Sequence, residues 1–274
     1  MDLITPAAFM LAVVVVIAAD LMDGGTLRSL VNLPAMLLVL GGTLGASVMS
    51  TATADLRLVP TFFSSILRPR STPVERTIDD IAALAEVARR EGFLRLEDEL
   101  DRDSLAPFLQ RGVRLIVDGA DEERLRTVLE QELTVYEARE ATGVRFFETA
   151  GGFAPTLGII GTVVGLVSVL SNLANVQKLA PSIATAFIAT LWGISTANFF
   201  WLPLAYKLRN TLAHELQARE MIIEGCIAIA AGQNPRLISE QLAVFVPPRK
   251  TVHSQSREDL VQGEGQTAHR LVDR

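Results

Sequence analysis

Three stretches of this chain contain no Asp, Glu, Lys, Arg or His: Leu30 to Met49, Ala150 to Leu173 and Ile183 to Tyr206. At about 1.5 Å of rise per residue, each is long enough to cross about 30 Å of hydrocarbon. Buried helices of a soluble protein seldom stay uncharged for so long. Leu3 to Leu21 is a fourth stretch of the same kind, interrupted only by Asp20 near its end. There a helix would reach the interface, so the carboxylate need not be buried. No basic segment precedes this first stretch, because Arg28 is the first Lys or Arg in the chain. It therefore reads as a retained span and not as a cleaved signal. The expected fold class is an all-α membrane protein with four transmembrane helices.

Charge sets the expected topology. Four spans put both termini on one side of the membrane. The short connections Met22 to Ser29 and Ala174 to Ser182 lie on the other side, and Arg28 and Lys178 are their only basic residues. The other 23 of the 25 Lys and Arg lie between Thr51 and Glu148 or after Tyr206. The excess of basic residues on the cytoplasmic face then places the long loop, the tail and both termini in the cytoplasm. A net charge of −6 argues against nucleic acid as a partner. The single Cys226 excludes an internal disulfide framework.

The expected organisation follows: residues 1–50 form transmembrane helices 1 and 2, and residues 51–148 a helical cytoplasmic domain. Residues 149–207 form transmembrane helices 3 and 4, residues 208–246 a cytoplasmic C-terminal helix, and residues 247–274 a polar, disordered tail. Within the loop, Ile78, Ile81, Leu84, Ala85 and Ala88 recur at helical spacing, and Gly92 ends that helix. Further helices are expected over Leu105 to Val117 and Glu122 to Phe147, the second leading straight into the third span. The tail helix is expected from Arg209 to Ala231, ended by Gly232 and Pro235.

Motifs for catalysis are missing. The chain has no GK[ST] phosphate loop, HExxH, CxxC or GxSxG, and its three His do not cluster. The expectation is no enzyme, no cofactor and no bound metal. The spans are more informative. Gly158, Thr162, Gly165 and Val169 make a small face on the third, and Ala186, Thr190, Gly193 and Ala197 repeat the spacing on the fourth. A second small stripe, Thr185, Ala189 and Thr196, lies beside it, while the first two spans show no comparable threonine-bearing face. Small faces let helix backbones approach closely. Thr162 and Thr190 either bond their own helix backbones or line a polar path and offer oxygens to a cation. Pro155 and Pro203 bracket the pair, and each removes a backbone hydrogen bond. No carboxylate lies at mid-membrane, so this chain alone makes a poor proton pathway.

The stretch APTLGIIGTVVGLVSVLSNL, then SIATAFIATLWGISTANFFWLPLAYKL, resembles the last two spans of the flagellar stator A-subunit family (MotA/PomA). The tail EMIIEGCIAIAAGQNPRLISEQL is similar to that family's EG-x-x-AI-x-x-G-x-NP pattern, and ARREGFLRLEDEL also fits. The related ExbB/TolQ subunits lack the tail pattern and have three spans. The resemblance implies a homopentamer of A subunits around two B subunits (MotB/PomB-like) in the bacterial inner membrane. The B subunit supplies the ion-carrying aspartate. The A subunits push on the rotor switch-complex protein FliG.

The resemblance also assigns residues. Arg89, Arg90 and Glu97 fall on charged positions that engage the rotor. Pro155 and Pro203 match two functional prolines. Thr162 and Thr190 fall where sodium-type stators carry Thr, although Ala189 stands where a second Thr is common. The implied cargo is Na⁺ or H⁺, with a lean towards Na⁺. Two other readings are an ExbB/TolQ-like subunit energising outer-membrane transport and a membrane scaffold that conducts nothing.

Overall fold

The structure is a computed structural model and describes residues 4–24, 30–67, 73–100 and 105–246. The expected disordered tail, residues 247–274, lies outside them. Every regular element among the described residues is helical. In chain order they are α1 (Ile4–Met22), α2 (Leu33–Met49), α3 (Thr53–Leu56), α4 (Val59–Leu67), α5 (Val74–Glu91) and α6 (Glu97–Leu100). There follow α7 (Pro107–Val117), α8 (Glu122–Ser171), α9 (Val176–Thr196), α10 (Leu202–Ala230) and α11 (Pro235–Leu242). A π-helical turn, Ala197–Trp201, joins α9 to α10 without a break, and a second, Leu37–Gly41, lies inside α2.

Two helical rods dominate. Helix α8 has 50 residues, about 75 Å of helix. Its first turn is fixed by Asp121, whose carboxylate accepts a 2.7 Å bond from the Arg124 N–H. Glu122 and Glu123 then sit at the positive end of the helix dipole. The α9–α10 rod runs antiparallel to it. The expected tail helix is thus the same helix as the fourth span, beginning well before Arg209. The expected short connection at Ala174 to Ser182 is shorter still, a turn around Asn172–Asn175, because helix begins at Val176 and tolerates Pro181 inside it. These two rods are long and apolar enough to cross a membrane. Pro6–Met22 and Leu33–Met49 are shorter apolar helices.

Two apolar cores form along the rods. The distal core joins Ile78, Ile81, Leu84 and Ala85 of α5 to Leu109, Val113 and Ile116 of α7, Leu125 and Leu129 of α8, and Met221 to Ile229 of α10. The tail pattern now has a physical account residue by residue. Glu224 pairs with Arg126 of α8 at 2.9 Å. Gly225 lets α5 approach, since a Cβ there would lie 2.8 Å from Ile81 Cδ1. Ala228 and Ile229 are core residues. Gly232 (φ 67°) takes the left-handed conformation that follows the end of α10. Asn234 caps α11 by accepting the Arg236 N–H at 3.0 Å, and Pro235 sits in the first turn.

The second core lies nearer the charge-free stretches. It gathers Phe146, Phe147, Ala150 and Ala154 of α8 with Ala197, Trp201, Leu204, Ala205 and Leu208, and with Phe62 of α4. Between the two cores the rods meet through a polar waist. The Tyr136 hydroxyl donates to Glu215, and the Arg219 guanidinium lies 3.6 Å from the Tyr136 ring centroid and 4.9 Å from that of Phe108.

Candidate functional site in the small-residue seam

The two small faces expected from sequence meet each other. A Cβ on Gly193 would lie 2.6 Å from the Ala154 carbonyl oxygen, and one on Gly158 would lie 3.1 Å from Thr190 Cα. Gly165 faces Ala186 as tightly, at 2.5 Å from its Cβ. The backbones of α8 and α9 therefore touch, which only small residues permit. The second stripe serves α2. Ala189 packs with Ala35 and Val39, and Asn32 Nδ2 donates to Thr185 Oγ1 at 2.8 Å.

Thr162 and Thr190 lie in the seam, half-buried, and their hydroxyls bond each other. Thr162 Oγ1 also lies 3.2 Å from the Gly158 carbonyl of its own helix and 3.1 Å from the Ala186 carbonyl across the seam. Thr190 Oγ1 lies 3.3 Å from that same Gly158 oxygen. The hydroxyls thus have backbone partners and a cross-helix partner at once. Each has one proton to give, so the cluster holds more acceptor oxygens than donors. An oxygen-rich cluster of this kind suits a hard cation. Thr196, by contrast, simply bonds Trp192 O at 2.7 Å within its own helix.

Pro155 lies inside α8, and its missing N–H leaves the helix one bond short. Pro203 follows directly on the π turn Ala197–Trp201. The widened turn makes room for a ring that a regular turn would clash with. Gly151 packs on Leu202 and Trp201, so both prolines lie on either side of one level.

Arg89, Arg90 and Glu97 are exposed on the distal core, apart from the seam. Arg89 and Arg90 sit in the last turn of α5, and Glu97 opens α6. Arg90 pairs with Glu86, and Arg95 spans Glu91 and Asp98. Glu99 is engaged as well. Arg89 and Glu97 have no partner among the described residues.

Some of the site was not legible. Thr43 and Ser47 of α2 are fully buried, a small polar face that the sequence reading did not single out. Ser47 Oγ donates to Thr43 O at 2.7 Å, whereas Thr43 Oγ1 has no partner among the described residues. The signal was their spacing of four on one face, weak without a neighbour to face. Trp192 Nε1 also donates to Leu30 O at 2.9 Å and ties α2 to α9. A cavity of about 220 Å³ lies between α2, α8 and α9, lined by Ser168, Ser182, Thr185 and apolar residues.

The comparisons agree with this architecture. The model of the MotA/TolQ/ExbB proton channel family matches residues 101–221. The chain is 33% identical over 265 residues to Motility protein A of Bacillus subtilis, covering 96% of this chain and 98% of that protein. It is 32% identical to the Chemotaxis protein PomA of Vibrio alginolyticus, over 81% of this chain and 87% of that protein. Its fold matches a chain of the flagellar MotAB stator complex from Bacillus subtilis with a TM-score of 0.82 and 34% identity, covering 88% and 95% of the two chains. On these identities and coverages the chain belongs to the MotA/TolQ/ExbB proton channel family, and within it to the Motility protein A and PomA stator subunits of the flagellar motor.

Proposed function

We propose that this chain forms, with a B subunit, an inner-membrane channel that converts ion flow into torque on the flagellar rotor. The observation that carries the reading is the continuity of the two rods. The same pair of helices holds the Thr162–Thr190 cluster at one end and the distal core bearing Arg89, Arg90 and Glu97 at the other. In this reading α1, α2, the apolar part of α8 and α9 are the four spans, with both termini cytoplasmic. Residues 51–148 and 208–246 form the rotor-facing part. Five copies enclose two B subunits, lipid surrounds the ring, and the switch-complex protein FliG receives the push.

The missing mid-membrane carboxylate fits a division of labour. The B subunit brings the aspartate, and the Thr162 and Thr190 oxygens line the path beside it. An elementary charge falling through 100 mV releases about 2.3 kcal/mol, a few times the thermal energy. That suffices to bias one step of a two-state assembly. Pro155 and Pro203 supply the joint that carries the step to the distal core. Of the two cargoes, Na⁺ and H⁺, the threonine oxygens favour Na⁺, against the Ala189 that stands where a second Thr is common.

The test is swimming speed after expressing this chain with its B partner in cells lacking stators. Motility is expected in Na⁺-rich medium, to fall in Na⁺-free medium, and to survive a protonophore. Speed unchanged by sodium removal refutes the sodium assignment. Replacing Pro155 and Pro203 by Ala is expected to leave assembly intact and abolish motility. A fully motile double variant refutes the joint. No motility and no ion flux with the partner bound refutes the channel.

A further inference from the structure

Gly92 (φ 89°) stops α5 and turns the chain into a tight 3-10 turn, Phe93–Leu96. That turn divides its apolar residues sharply. Leu96 is completely buried in the distal core, while Leu94 is 77% exposed and Phe93 40%. A single exposed Leu would mean little. Here two large apolar side chains are consecutive, followed closely by a buried neighbour, and lie in the chain between Arg89 and Glu97, two exposed charges with no partner among the described residues. An apolar centre inside a charged rim is how binding energy is arranged in protein interfaces.

We infer that Leu94, with Phe93, is the apolar anchor of the rotor-facing surface and inserts into an apolar pocket on a helix of the rotor protein, with an acid facing Arg89 and a base facing Glu97. This rests on the reading that residues 89–97 face the rotor. Two observations favour a protein over the bilayer as occupant. The core that holds Leu96 closes on Leu125 and Leu129, and the charge-free part of α8 begins at Ala150. That separation is about 30 Å of helix. The turn is also followed by an acidic run, Glu97 to Glu99, which an anionic headgroup surface repels. The anchor and the rim do different work. Charges steer encounter and fix register, and salt weakens them. Burial of Leu94 resists salt and supplies grip, so a stator can push without sliding off at cellular ionic strength.

The test uses the complete A–B complex in nanodiscs and purified rotor protein, at about 0.1 M and about 0.5 M NaCl, conditions that shorten the screening length about twofold. Leu94→Ser is expected to weaken binding about tenfold at the lower salt. At the higher salt it should lose measurable binding while the wild type persists. Leu94→Met should bind like the wild type, and ion flux with a plug-deleted B subunit should be the same for all three, which shows that folding is intact. Leu94→Ser binding as tightly as the wild type at both salts, with normal stall torque in cells, overturns the anchor and leaves the rotor-facing reading standing. A wild-type complex that conducts ions yet binds no rotor protein overturns both.

Discussion

Replacing Gly193 by Ala tests the seam most directly, because the obstacle is backbone. The new Cβ would lie 2.6 Å from Ala154 O and 3.0 Å from Gly158 Cα. Neither atom can rotate aside as a side chain would. Ordinary contact begins near 3.4 Å, so α8 and α9 must part by nearly 1 Å, which forfeits about a quarter to a half of the dispersion energy of each contact affected. Overpacking of this kind costs about 1–3 kcal/mol. The better helix propensity of Ala returns about 0.5–1 kcal/mol. A net loss of about 1–2 kcal/mol is expected. Two neighbours calibrate it. At Gly158 the Cβ would meet backbone at 3.1 Å, a strain of a few tenths of an ångström, so Gly158→Ala should come out near neutral. At Gly152 nothing lies within 4 Å, so Gly152→Ala should be neutral or slightly stabilising. Thermal unfolding of the complex in one detergent, with ion flux measured in parallel, reads the series. Gly193→Ala as stable as Gly152→Ala would refute the backbone contact between α8 and α9.

Two predictions concern the cytoplasmic helices. Burial, and then the neighbouring Glu215, hold the Glu140 carboxyl above its ordinary value near 4.5. Ionised Glu140 therefore penalises the fold at neutral pH, and the penalty is relieved as pH falls through the raised value. Glu140→Gln should unfold later than the wild type at pH 7–8, with the difference vanishing below about pH 4.5; a constant difference at all pH values contradicts the burial of this group. Cys226 is fully buried, and burial pushes its thiol up to about 12. Maleimide should label it only when the distal core opens, and Gly112→Ala, whose Cβ would lie 2.4 Å from Cys226 Sγ, should speed labelling severalfold. Labelling as fast as a surface thiol would place Cys226 outside the core.

The parts of this fold that are legible in sequence are those set by one helix and its solvent. The apolar spacing of Ile78, Ile81, Leu84 and Ala85, the break at Gly92 and the end of the tail helix at Gly232 need no partner to be read. The small faces of α8 and α9 were legible as faces, since Gly and Ala at spacings of three and four have one packing use. What they face was not. Thr43 looks like any span threonine until the fold buries it. Arg126 and Glu224 are 98 residues apart, and only folding makes them a pair. The π turn at Ala197–Trp201 leaves no local mark, because Pro203 allows either a kink or a widened turn. The alternatives for Thr162 and Thr190 merge for the same reason. A hydroxyl at a seam between two backbones reaches its own carbonyl, its neighbour's and a second hydroxyl together.

The placement of the joint has a mechanical consequence for the proposed coupling. From Pro155 to Thr162 is 7 residues of α8, and from Pro155 back to Leu125 is 30. At about 1.5 Å per residue these arms are about 10 Å and about 45 Å. A rod pivoting near Pro155 would move its distal end about four times as far as its seam end. An ångström of change at the threonine cluster, the size of an ion entering or leaving, then becomes about 4 Å at the distal core. The distal arm carries that motion only if it does not bend. Within Glu122–Thr142 it contains no Gly or Pro, and its three glycines, Gly143, Gly151 and Gly152, lie nearer the pivot. At the waist it is braced to α10 by Tyr136 on Glu215 and by Arg219 over the Tyr136 ring. Polar bonds suit that position, because directed contacts hold register between two rods where the distal core reaches them through Phe108 of α7 beneath Arg219. The waist is therefore the place where stiffness, and not stability, is at stake. In the proposed coupling Tyr136 and Glu215 would serve the transmission without touching ion or rotor.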